Sequence, residues 1–320
     1  MSLAQRFAAD ADSEAGARLL AELAAIEHER DDDAGAIARE RRQLALSERL
    51  FGESDARTLS ALEQLARALW SAEGREEARA LLTRAHAIRS ESLGPEHPDT
   101  VAAELALARR LRRADPTAAQ CHCEQVIAIR RRTLGDRDRA TLDAIRLLAG
   151  ILSDRGWEHA DEPEARQWLT TARAVATEAV AGERELGGGL ATATVDAIAL
   201  LAVIEQDLGD HAAAQRLTAE VERAATDTWG TDAEQAFAHA RRLIWVSRRV
   251  EGAHDPATLA RIASMLERAL ARGLQAEPPW REWLQKRASE LAEARRAALG
   301  ADHPDTVAAA KTASQLGSEW

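Results

Sequence analysis

The chain has 320 residues, 46% of them hydrophobic and 30% charged, with a net charge of −11 and two cysteines. That is ample apolar surface for a core, and the acidic balance excludes a general nucleic-acid binder or a binder of anionic membranes, both of which need a basic face. Two cysteines exclude a secreted disulfide scaffold; no apolar run suits a membrane span and MSLAQRFAADADSEAG holds no signal-peptide core, so a cytoplasmic setting is expected.

Sparse Gly and Pro punctuate long Ala/Leu/Arg/Glu segments with helical periodicity, and no segment alternates as a strand does. The chain is therefore expected to be all-α. A divergent first hairpin is expected over 13–50, split near RDDDAG. Next comes a unit at 57–93. It opens at FGESDART, runs through a stripe of Leu62, Leu65, Ala66 and Leu69, turns at SAEGREEA and returns as ARALLTRAHAIRSESLG. LGPEHPDT opens a unit at 99–134, and LGDRDRAT opens one at 140–186, with a stripe of Ile145, Leu148, Ala149 and Leu152. That unit is roughly ten residues too long for its repeat, the excess lying at GWEHADEPEARQW (156–168). Ile198, Leu201 and Ala202 mark the unit at 194–229, and a hairpin with a long turn follows at 232–272. A lone helix at 280–298 and half a unit at 304–317, opened by LGADHPDT, complete the chain.

The first steps between joints are 42 and 41 residues, the period of stacked helical hairpins. Each joint reads as a helix stop and a helix start. In LGPEHPDT, Gly94 supplies the left-handed residue that ends one helix, Pro98 blocks its continuation, and Asp99 or Thr100 caps the next.

Other motifs reduce to structure. Cys121 and Cys123 in CHC lie two residues apart on a helix, pointing away from each other, so a core role for Cys123 is expected and not a metal site. ERDDDAG (29–35) lacks the full calcium-loop pattern, and GGG (187–189) lacks the strand and Lys-Ser/Thr of a phosphate cradle. His97, His254 and His303 belong to joints. No catalytic constellation occurs, so no enzyme activity, metal or cofactor is expected. Trp157 and Trp168 flank the insertion, and Trp280 and Trp283 flank EPPWREW; anchoring is the expectation, with partner contact as the alternative.

The pattern Gly-x-x-His-Pro-x-Thr, then Leu-x-x-Leu-Ala, then Gly-x-x-x-Glu-Ala resembles the tetratricopeptide repeat (TPR) of the long, kinesin-light-chain-like type also common in bacteria. LARALWSAEGREEARALLTRAHAIRSESLGPEHPDT (65–100) carries it most clearly. The resemblance implies a right-handed α-solenoid of about six stacked hairpins with an irregular C-terminal helical end, its first helices lining a concave wall. It further implies a protein- or peptide-binding scaffold whose wall would present Glu63, Gln64, Arg67, Leu105, Arg109, Arg113, Arg146, Leu147, Leu200 and Val203. One departure stands out. The light-chain type reads Leu-Asn-Asn-Leu-Ala, its Asn pair holding a peptide backbone, whereas this chain has no Asn at all. Either Leu105, Leu147, Leu200 and Val203 receive an apolar segment while arginines meet its carboxylates, or these side chains pack against each other; the spacing does not choose. A regulatory subunit docking through its convex face or C-terminal helices is the alternative function. The partner and the oligomeric state are left open.

Overall fold

The computed structural model describes residues 33–71, 74–187, 191–228, 233–273 and 278–316. Expectations for the first helix of the 13–50 hairpin and for Gly188 and Gly189 lie outside the described residues. Thirteen α-helices and no strand are found among the described residues. They are α1 (Asp33–Phe51), α2 (Ala56–Ser71), α3 (Arg75–Leu93), α4 (Pro98–Leu111), α5 (Pro116–Thr133), α6 (Arg139–Glu158), α7 (Ala165–Gly187), α8 (Thr192–Leu208), α9 (His211–Thr228), α10 (Ala233–Val250), α11 (Pro256–Ala271), α12 (Pro278–Leu299) and α13 (Pro304–Gln315). The chain divides at Thr133 and Leu134 into two compact units, here unit 1 and unit 2.

At the joint after α3, Gly94 takes φ 94° and ψ 156°, a region open to glycine alone, and its N–H donates to the Ser90 carbonyl at 3.1 Å. The following cap differs from expectation. His97, not Asp99 or Thr100, precedes the helix, and its Nδ1 accepts from the Asp99 N–H at 3.2 Å. Pro98 takes the first helical position, where no N–H is needed. Asp55, Asp138, Asp255 and His303 occupy the same place in other joints and accept from the N–H two residues on. The joint threonine has another task. Thr58, Thr100, Thr141, Thr194, Thr258 and Thr306 are all buried. Among the described residues, the hydroxyls of Thr58, Thr100, Thr141 and Thr306 meet no hydrogen-bond partner, so there it is the methyl group that the position uses.

Helix stripes bury as their spacing demands. In unit 1, Leu62, Leu65, Ala66 and Leu69 of α2 enter a core with Ile37 and Leu44 of α1 and Ala78 and Ala85 of α3. Unit 2 buries Ile145, Leu148, Ala149 and Leu152 of α6 and Ile198, Leu201 and Ala202 of α8. Where α7 packs on α6, a Cβ on Gly182 would stand 2.5 Å from Leu142 Cδ2. Trp280 of α12 is buried against Phe237 of α10, with ring centroids 4.9 Å apart. Cys123 is buried and Cys121 exposed. In α13, which begins with the same PDTVAA as α4, Lys311 is exposed where α4 has the buried Leu105, and Val307 is exposed where α4 has the buried Val101.

Surface ion pairs tie successive hairpins with a constant register. Arg41–Glu77, Arg84–Glu48, Arg79–Asp115 and Arg132–Glu96 in unit 1, and Arg184–Glu220 in unit 2, each join residues 36 apart. The pairs fall about six residues short of the repeat, about 9 Å of helix, within reach of an extended arginine. Arg84–Glu48 is half-buried and the others are exposed; an exposed pair is worth no more than about 1 kcal/mol, so they set register more than they stabilise.

Two substitutions test this packing by chemical denaturation. Thr100→Val should leave stability within about 0.5 kcal/mol of wild type or raise it, because an unpartnered hydroxyl is removed, whereas Thr100→Ala should lose about 1 kcal/mol. Gly182→Ala should cost about 1–3 kcal/mol, because Leu142 must give way.

Candidate functional site

Three helices of unit 1 form a groove. Glu63 and Arg67 come from α2, Leu82 and Arg89 from α3, and Ala102, Ala103, Ala106 and Arg110 from α4, with Asp99 in its first turn. They enclose about 370 Å³. The space exists because α4 turns alanines toward it. Glu63 and Arg89 pair across the groove at 2.5 Å; Asp99, Arg67 and Arg110 are its other charged lining residues. Just beyond Arg110 the helix ends in further cations, so Arg109, Arg110, Arg112 and Arg113 crowd the C-terminal end of α4. An anion is favoured at such an end of the groove.

The same helix α4 carries a polar seam that repeat alignment does not anticipate. Glu104 stands where Leu62, Ile145 and Ile198 stand in other units, and it is buried. Its carboxylate meets His122 Nδ1 of α5 at 3.3 Å and lies 3.9 Å from His86 Nε2 of α3. A buried carboxylate needs such partners, and these two bind α4 to the helices on either side.

The corresponding face of unit 2 is occupied by its own side chains. Arg146 of α6 donates to Asp143 at 2.8 Å and to Asp196 of α8 at 3.1 Å. Asp196 also accepts from Arg242 of α10 at 2.6 Å. Farther along, Arg249 of α10 donates to Asp207 of α8 at 3.2 Å and stacks 4.7 Å from the Trp157 ring of α6. Burial pushes the Asp207 carboxyl above the ordinary range, although Arg249 pulls it down. Burial likewise raises Glu183, against the pull of Arg146 and Arg139. A polar cavity of about 340 Å³ lies at the turns, lined by Gln206, His211, Gln215, Glu251 and Asp255. Among the described residues, no group of three His, Cys, Asp or Glu could hold a metal ion.

The residues read from the sequence as wall residues thus part company. Glu63 and Arg67 line the groove, and Arg109 and Arg113 are exposed at its end. Gln64 is half-buried and bonds to Gln43 and Ser60. Leu105, Leu147 and Val203 are buried, at 5%, 7% and 2% exposure, and have almost no surface to offer a guest. Of the two readings left open for the leucines, these three follow the packing one; Leu200 keeps a half-buried surface. Arg146 is held by two carboxylates. Arg89, Asp99, Ala103 and Arg110 were missed. The first lies on a second helix and the others fall one residue off the assumed inner stripe; the alanines at 102, 103 and 106 were the available signal.

The comparisons with known proteins agree with this geometry. Residues 71–132, from the end of α2 through α5, match the tetratricopeptide repeat family. Kinesin-light-chain TPR-like repeats of Podosopora anserina share the fold at 23% identity, TM-score 0.57, over 68% of this chain and 98% of theirs. A second structure of those repeats gives 23% and 0.56, over 68% and 100%. BtubC (BKLC) of P. vanneervenii gives 16% and 0.55, over 72% of this chain and 93% of its own. No curated protein matches. The fold is that of kinesin-light-chain-like TPR proteins, an α-solenoid of stacked helical hairpins. Such repeats typically serve protein–protein interaction and are generally not enzymes.

The raised Glu183 gives a pH test. A carboxyl whose folded-state pKa lies above its unfolded value stabilises the fold while protonated, and that contribution is lost as pH rises from about 4.5 through the raised value. Glu183→Gln should therefore match wild type near pH 4 and gain on it in thermal midpoint as pH rises toward 7.

Proposed function

We propose that this protein is a non-enzymatic scaffold that holds a carboxylate-bearing segment of a partner protein in the unit 1 groove. The observation that carries the reading is the cavity itself. It lies largely within the stretch matched as TPR, and it is lined by three guanidinium groups against two carboxylates in a chain whose net charge is −11. Arg89 is anchored by Glu63, and Arg67 and Arg110 line the same groove, where the carboxylates of a guest would reach them. The alanine floor admits backbone or a bulky side chain. Arg109 and Arg113 would extend contact past the groove's end. In unit 2, Arg146, Leu147, Leu200 and Val203 support the wall and do not line this groove.

The acidic surface weighs against nucleic acid as the partner. No described helix is long and apolar enough to cross a membrane. A cytoplasmic protein partner fits both facts. Docking through the C-terminal helices, as a regulatory subunit, is the weaker reading: Trp280, Leu284 and Leu291 of α12 are buried within unit 2, so these helices serve its core.

The test is capture of a fluorescein-labelled Glu/Asp-rich decapeptide, followed by anisotropy at low salt. Arg67→Ala with Arg110→Ala should weaken capture at least about tenfold while circular dichroism stays unchanged. Capture equal to wild type would remove the groove from consideration. Leu105→Ala and Leu147→Ala are unsuited to this test, because both leucines belong to the core.

A further inference from the structure

We propose that unit 2 carries a second docking surface, centred on Trp157 and Trp245, for an uncharged partner segment that inserts large apolar side chains. It does not rest on the unit 1 groove. On α10, Arg242, Trp245 and Arg249 fall at i, i+3 and i+7, one stripe of the helix. Both arginines reach carboxylates of α8, Asp196 and Asp207, so the stripe faces α8. Trp245 sits between them and stays 38% exposed, and Leu200 lies between Asp196 and Asp207 on α8, half-buried.

The length of α6 completes the surface. Its last turn carries Trp157 to the guanidinium of Arg249, and Trp157 remains 55% exposed. Each indole has one face against an arginine, Trp157 against Arg249 and Trp245 against Arg242 at 5.1 Å. The extra residues of this unit thereby acquire a purpose.

Charge decides the occupant. Arg146, Arg242 and Arg249 all have carboxylate partners on this face. A charged segment would have to break those pairs to make new ones, whereas an apolar one gains the open indole area at no such cost. The ion pairs also hold both rings in place before any partner arrives, which lowers the ordering cost of binding. Trp is the residue type most often found as an interface anchor.

The experiment pans a random dodecapeptide phage library on the full-length protein and measures recovered peptides by anisotropy. Uncharged peptides with aromatic or aliphatic anchors should be recovered. They should lose at least about tenfold in affinity on Trp157→Gln with Trp245→Gln, and nothing on Arg67→Ala with Arg110→Ala. Both tryptophans are exposed enough for the double variant to fold; should its thermal midpoint drop, Trp157→Gln and Trp245→Gln tested singly give the reading. Recovery of acidic peptides alone, or uncharged peptides indifferent to the tryptophan variants, overturns the proposal. The arginine variant reports separately on the groove.

Discussion

Each helix pair of this protein has an apolar stripe that only its neighbours can cover. That constraint governs the rest. It explains why Leu62 of α2, Ile145 of α6 and Ile198 of α8 are almost wholly buried while sharing one place in the repeat. It also explains the joints, where a glycine closes one helix, a His or Asp caps the next, and a buried threonine seats the corner. Within each unit a hairpin is stabilised by contact with the next, so an error at a joint is felt on both sides of it.

Within that frame, arginine does two different things. Across α6, α8 and α10 it is neutralised by aspartates of neighbouring helices, and the wall of unit 2 is laced together. Between α2 and α4 alanines stand back from the groove, and guanidinium groups flank empty space. The same residue type braces neighbouring helices in unit 2 and borders a cavity in unit 1. Distance between side chains, more than composition, separates the two cases.

Departures from the repeat mark the places where this chain has its own character. Glu104 replaces a core leucine and needs His86 and His122 to be tolerated there. The lengthened α6 brings Trp157 to Arg249 and leaves an indole in solvent. The first ties α4 to both of its neighbours through polar contacts, and the second leaves an aromatic side chain on the surface.

The sequence by itself determined the helices and their order. Hydrophobic period, joint glycines and the 42-residue step all act locally, and local geometry leaves the chain one way to bury such stripes. It also determined that Glu63 and Arg67 would share a helix face. Only the tertiary structure decided that Leu105, Leu147 and Val203 are core and that Arg146 is already paired, while Arg89 and Arg110 border a cavity. Those outcomes depend on how far one hairpin's side chains reach into the next. That reach is set by residues some 36 to 50 positions away, such as Asp196 for Arg146, and periodicity along a single helix carries no record of it.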